Sequence, residues 1–238
     1  MSNRWKILLA AIVIIAIAIL GISLVSVSGG GNVSATTSLA ASDINLDDYS
    51  RAIEPYDWNF PADFGAHPDF LTEWWYYTGN VATEDGRRFG YQFTIFRRAI
   101  SPETEQSDSE WRTNQVYLAH FTVSDIESNE FYHDQRFSRG SADLAGATVD
   151  PVYRVWIEDW EIIALNEDAS LVQISVETDL FAIDLTLEQT KPPALHGENG
   201  LSHKSSPEGN ASYYYTLSRL ITEGNITIRG ETFAVSGN

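Results

Sequence analysis

His67-Pro68-Asp69-Phe70-Leu71-Thr72-Glu73-Trp74-Trp75-Tyr76-Tyr77-Thr78-Gly79 places four large aromatics directly after a carboxylate. Successive side chains of a β-strand point to opposite faces. Trp74 and Tyr76 therefore share one face, and Trp75 and Tyr77 the other. A strand that is aromatic on both faces is either covered on both or lines an enclosed apolar space.

The chain downstream keeps the two-residue period. An Asp85-Gly86 turn signals a tight hairpin. Residues 87–98 alternate Phe89, Tyr91, Phe93 and Ile95 with Gly90, Gln92 and Thr94. After a polar, acidic loop over 99–114, residues 115–125 put Tyr117, Ala119, Phe121 and Val123 on one face. Val116, Leu118, His120 and Thr122 take the other. Further strands are expected over 131–137, 154–165, 171–178, 180–190, 212–220, 226–229 and 232–235, with a long loop from Lys191 to Ala211. In the 154–165 strand, Trp156, Trp160 and Ile162 stand opposite Val155, Ile157 and Ile163. About nine or ten strands in sequence order imply an all-β, up-and-down antiparallel barrel, whose closure removes exposed edges. A barrel of about eight strands encloses room for one small ligand. A β-sandwich fits the same periodicity.

Upstream, Arg4 and Lys6 precede an uncharged apolar run from Ile7 to Val25, then Ser-Val-Ser-Gly-Gly-Gly. That order marks residues 1–27 as a signal peptide or a retained signal-anchor helix. Val33-Ser34-Ala35 offers a cleavage site. In either case the rest is exported to the cell envelope or beyond, membrane-anchored if the helix stays. Residues 28–55, small and polar and then acidic, read as a flexible tether to a folded domain over 56–238. The last residues, Glu231 to Asn238, stop in or just after a strand, so the sequence reads as a fragment.

Composition narrows the partners. The 33 acidic residues outweigh 15 basic ones, of which only Lys6, Lys191 and Lys204 are lysines. A formal charge of −18 argues against nucleic-acid backbones and anionic lipid surfaces. The chain has no cysteine, which excludes disulfides, thiolate chemistry and thiolate-bound zinc. With 7 Trp, 11 Tyr and 11 Phe, core material is ample.

Four stretches together resemble the AttH-like/carotenoid 1,2-hydratase family of lipocalin-like proteins: His67–Gly79; Ala119-His120-Phe121; Lys191-Pro-Pro-Ala-Leu-His-Gly-Glu-Asn-Gly-Leu-Ser202; and Asn210-Ala-Ser-Tyr-Tyr-Tyr215. The resemblance runs from about Tyr56 to the end. It implies two lipocalin-like barrels side by side, with an apolar cavity for a lipid-like molecule, of which this chain carries the first. Members are often labelled secreted hydrolases, and the hydratase branch adds water to a C=C bond without a cofactor. Its acid–base residues, a His-x-Trp element and a Tyr/Asp pair, have no counterpart here, and neither does a Trp-Met-Asp-His-Glu-Trp-like stretch beyond Asn238. No catalytic residue carries over.

The residues themselves offer weak catalytic candidates in Glu73 and His120, with Asp69 beside Glu73. A carboxyl against aromatics has the character of a general acid, unless it pairs with an Arg at the barrel rim. His120 among apolar neighbours is a core residue or a polar anchor. Trp75, Tyr77, Gln92, Thr94 and His120 form the expected ligand-binding set. His196 and His203, with Lys191 and Lys204 nearby, match no metal-site spacing, and no metal or cofactor is expected. There is no Gly-x-Ser-x-Gly elbow. Asn210-Ala-Ser and Asn225-Ile-Thr fit a glycosylation pattern only. The function expected is a hydrophobic-ligand binder of isoprenoid or fatty-acyl type, or part of a cofactor-free hydratase or lyase.

Overall fold

The computed structural model describes residues 45–101, 109, 111–206 and 208–237. The apolar segment expected over 1–27 and most of the tether lie outside the described residues. No described helix is long and apolar enough to cross a membrane. Helical structure among the described residues is two short 3-10 turns, Leu46–Asp48 and Ala62–Phe64. Within the part of the expected tether that is described, Tyr49 and Ala52 are buried, and Ser50 N–H donates to Asp69 O at 2.9 Å.

Strands β1 (Thr72–Ala82), β2 (Arg88–Ala99), β3 (Gln115–Asp125) and β4 (Glu130–Arg139) form a first meander. A second contains β5 (Ala145–Thr148), β6 (Arg154–Ile157), β7 (Trp160–Ala164), β8 (Leu171–Glu177) and β9 (Phe181–Gln189). The four strands that follow, β10 (Ala194–Leu195), β11 (Leu201–His203), β12 (Ala211–Tyr213) and β13 (Tyr215–Thr216), pair among themselves as two small ribbons, β10 with β13 and β11 with β12. Then β14 (Leu220–Ile228) and β15 (Glu231–Gly237) return to the main sheet.

The eleven-stranded main sheet runs β4-β3-β2-β1-β15-β14-β9-β8-β7-β6-β5, antiparallel throughout. Read as a ring, this is sequence order, with β15 closing onto β1 and one seam without a ladder between β4 and β5. The result is a nearly closed lipocalin-like barrel. Arg136 of β4 bridges the seam, pairing with Asp159 and Glu158 in the β6–β7 turn and lying 4.1 Å over the Trp160 ring.

Residues 154–165 do not form one strand. Glu158 adopts a left-handed backbone (φ 58°), and the chain reverses there as a hairpin. The reversal resets the alternation. Val155, Ile157, Trp160 and Ile162 consequently all point inward and are fully buried, while Trp156 lies outside beneath Arg154. The expected opposition of Trp160 and Ile162 to Val155 and Ile157 is overturned by that turn.

The inward set of β2 is Phe89, Tyr91, Phe93 and Ile95, and that of β3 is Tyr117, Ala119, Phe121 and Val123. Phe121 stacks on Phe181 at 4.7 Å and meets Trp160 edge-on at 5.9 Å. These rings pack the barrel's middle, and the open space lies toward one end.

Candidate functional site

That space is a cleft of about 920 Å³ at the mouth where β1 begins. Inward-facing Glu73, Trp75 and Tyr77 line it, and so do outward-facing Trp74, Tyr76 and Thr78. Both faces of one strand reach the same cleft because β1 pairs with β15 only at Val81 and Ala82. The four aromatics therefore have unequal surroundings. Trp75 and Tyr77 are buried, whereas Trp74 and Tyr76 are 41% and 51% exposed.

A polar network holds one wall. Glu73 and Arg97 stand directly opposite each other on β1 and β2. Arg97, 1% exposed, donates to Glu73 Oε2 at 3.1 Å, Gln115 Oε1 at 2.7 Å, His67 O at 2.8 Å and Phe70 O at 2.7 Å. It thus ties the 67–70 turn to the barrel rim. Glu73 also accepts from His67 N–H at 2.9 Å, and its Oε1 lies 2.6 Å from His67 Nδ1. His67 Nε2 lies 3.2 Å from Asp63 Oδ1, which also accepts the Tyr56 hydroxyl at 3.2 Å. Asp63 in turn accepts the Asn59 N–H.

The hydrogen bond to Glu73 raises the His67 pKa above its ordinary 6.5; burial opposes this, and the charge of Glu73 and the contact with Asp63 reinforce it. A raised folded-state value means that the protonated imidazole stabilises the fold fully below pH 6.5. That stabilisation is lost as pH climbs through the folded-state value. Urea midpoints of the wild type should accordingly fall over that window, and His67→Gln should abolish this part of the slope. A midpoint of equal slope in both proteins would show that His67 is not charged in the folded state.

Deeper in the cleft are three tyrosines. The Tyr77 and Tyr153 hydroxyls lie 3.5 Å apart, and Tyr215 packs 5.8 Å from Phe64. Burial pushes the Tyr77 hydroxyl up to about 12 and raises those of Tyr153 and Tyr215 well above the usual tyrosine value, so all three stay neutral at ordinary pH. They are hydrogen-bonding groups among the aromatic side chains of the cleft.

The ribbons β10–β13 and β11–β12 belong to the segment that borders the cleft, and polar ties pin it to residues 54–58. Trp58 Nε1 donates to Asn199 O at 3.0 Å, Asn199 Nδ2 to Tyr56 O at 3.1 Å, and the Tyr213 hydroxyl to Glu54 O at 2.8 Å. Gly200 is required here: its φ is +93°, and a Cβ would sit 2.4 Å from Trp58 Nε1. His196 stacks on Tyr214 at 4.2 Å and contacts Thr216 Oγ1 at 2.6 Å, a structural use of that histidine. Among the described residues no group of three or more His, Cys, Asp or Glu is placed to hold a metal ion.

The structure divides the expected ligand-binding set. Trp75 and Tyr77 line the cleft. Gln92, Thr94 and His120 stand on the outer face of β2 and β3, where Thr94 is directly opposite both Tyr76 and His120. The reason is the apolar alternation of β2, whose Phe89, Tyr91, Phe93 and Ile95 occupy the inner face. Burial against Phe96 lowers the His120 pKa below the usual histidine range, as befits a packed neutral ring. Glu73 is at the cleft, as an acceptor saturated by His67 and Arg97, which is the rim-pairing alternative; Asp69 is exposed. Sequence reading missed Asp63, His67, Arg97, Tyr153 and Tyr215. His67 lies within the diagnostic stretch, yet nothing in its spacing separates it from a turn residue.

The AttH-like family model matches residues 51–238. The chain belongs to the AttH-like family. Among solved structures, this AttH-like chain is similar to a protein assigned as an AttH from Nitrosomonas europaea, with 32% identity and a TM-score of 0.67 over 79% of this chain and 55% of that one. It is also similar to kievitone hydratase from Nectria haematococca, at 16% identity and a TM-score of 0.50, over 78% of this chain and 53% of that one. The second likeness concerns the fold alone. The AttH-like chain thus spans about half the length of either protein. No curated protein sequence matches it.

Proposed function

We propose that this chain is an exported lipocalin-like protein that holds a hydrophobic molecule, isoprenoid or fatty-acyl in character, in the cleft at the barrel mouth. The observation that carries the reading is the 920 Å³ space lined by Trp75, Tyr77, Tyr153 and Tyr215. Ligand sites of about 300–1,000 Å³ combine such an apolar lining with a few placed polar groups. Neutral tyrosine hydroxyls and the His67–Glu73 pair suit one polar end, such as an alcohol or a carboxyl. Export rests on the apolar run after Arg4 and Lys6, which would also supply the membrane contact if it is retained.

The test compares retinol with a hydrocarbon of similar length, read by quenching of tryptophan fluorescence. Tyr77→Phe with Tyr153→Phe keeps the cleft's volume and removes two hydroxyls. Retinol affinity should drop by about 5–30-fold, the worth of one or two hydrogen bonds of roughly 1 kcal/mol each, while hydrocarbon affinity stays put. Unchanged retinol affinity would place the polar end elsewhere.

A second reading is a cofactor-free hydratase or lyase. What favours it is the placement of His67 between two carboxylates beside the cleft, which raises its pKa. Conversion of an isoprenoid alkene to an alcohol, abolished by His67→Gln, would select this reading over simple binding.

A further inference from the structure

A carboxylate drawn into an apolar cleft needs a cation to pair with, because an unpaired charge out of water is costly. Among the described residues the cleft offers none. Its charged lining is Arg51, Asp63, His67, Glu73 and Glu208, three carboxylates against one guanidinium and one imidazole. Arg51 is exposed and pairs with Asp47 at 2.8 Å. Both ring nitrogens of His67 face protein carboxylates, Glu73 Oε1 at 2.6 Å and Asp63 Oδ1 at 3.2 Å. Even a protonated ring then has no N–H left for a ligand. Arg97 is 1% exposed and stands opposite Glu73, its donors committed to Glu73, Gln115 and two carbonyls. Neither Lys191 nor Lys204 lines the cleft.

The three tyrosines are polar groups of another kind. Each hydroxyl is neutral and can both donate and accept. Tyr77 and Tyr153, 3.5 Å apart, use one hydroxyl proton between them and leave the other for a ligand. Tyr153 and Tyr215 also lie in the negative field of Glu73, joined at Tyr215 by that of Asp63. A ligand hydroxyl donates and accepts as the tyrosines do. A ligand carboxylate could only accept, and it would carry a negative charge toward Glu73 and Asp63.

We propose that the cleft takes an uncharged, hydroxyl-bearing amphiphile and turns away the carboxylate of the same skeleton, with Asp63 and Glu73 setting the choice. This selection rests on the cleft being the site of a hydrophobic ligand, as proposed above, and narrows that ligand to a lipid-like alcohol. The formal charge of −18 acts in the same direction at longer range, since it repels an incoming anion.

Retinol, retinoic acid and methyl retinoate share one hydrocarbon skeleton and differ at the polar end. Each is titrated into the chain at about pH 7.5, where a free carboxylic acid is ionised, and read by quenching of tryptophan fluorescence. Retinol should bind about tenfold or more tighter than retinoic acid, because an unpaired charge is harder to bury than a hydroxyl. The ester has no charge and lacks only the donor, so it should stay within about fivefold of retinol. Glu73→Gln and Asp63→Asn each remove one negative charge at nearly constant shape, and each should narrow the preference for retinol by about fivefold. Melting curves establish that the variants are folded; Asp63→Asn serves where Glu73→Gln does not fold, and the wild-type comparison needs neither. Retinoic acid bound as tightly as retinol would overturn the proposal and leave the binding function standing. An unchanged preference in both folded variants would overturn it too, by removing the two carboxylates from the choice. Saturable binding of none of the three would remove the binding function itself, and the proposal with it.

Discussion

Arg97→Ala should lower the unfolding free energy by about 3–5 kcal/mol, the usual effect of removing one partner from a buried ion pair. Four acceptors lose their donor at once: Glu73, Gln115 and the carbonyls of His67 and Phe70. For a domain of this size the melting temperature should fall by roughly 6–20 °C. Arg97→Lys restores the charge but not the planar fork that reaches strand, turn and neighbour together, so it should recover less than half of the loss. Thermal and urea unfolding check both variants. A melt within a degree or two of wild type for Arg97→Ala would mean that the 67–70 turn is held by something else.

Trp160→Ala should cost about 3–5 kcal/mol by a different route, the cavity left by a large ring. Trp160 is fully buried, touches Phe93 and Phe121, and donates its indole N–H to Glu177 O at 2.8 Å. It also carries the Arg136 guanidinium that bridges the β4–β5 seam. Its loss should therefore raise hydrogen exchange along β4 and β5 more than along β2. Exchange that rises evenly round the barrel would show that the seam is no weaker than the ladders. Trp160→Phe, which keeps part of the ring volume, should fall between the two.

Much of the barrel was legible because its strands are half-buried. The alternation over 115–125 gives β3 with its observed ends, and Asp85-Gly86 gives the first hairpin. The hairpin at Glu158 was hidden because a glutamate, not a glycine, takes the left-handed turn. Period two also says which residues share a face without saying which face is inside. On β2 Phe89, Tyr91, Phe93 and Ile95 decide this, and they put Gln92 and Thr94 on the outer face. On β1 both faces are aromatic, so only the fold separates Trp75 and Tyr77 from Trp74 and Tyr76. The polar network was illegible for another reason. Its members come from a 3-10 turn, a loop and three strands, and Tyr153 and Tyr215 arrive from segments far along the chain. No local pattern announces such a convergence.

The proposed binding function requires that a hydrophobic molecule occupy the cleft. A melting curve of the wild type with retinol, at a hundredfold excess over the dissociation constant from the quenching titration, tests this most directly. A ligand held by the folded state should add about 2.7 kcal/mol, a rise of roughly 5–11 °C, and Tyr77→Phe with Tyr153→Phe should show a smaller rise at the same concentration. No saturable quenching and no rise in the wild type, with retinol and with a fatty acid alike, would contradict the binding function.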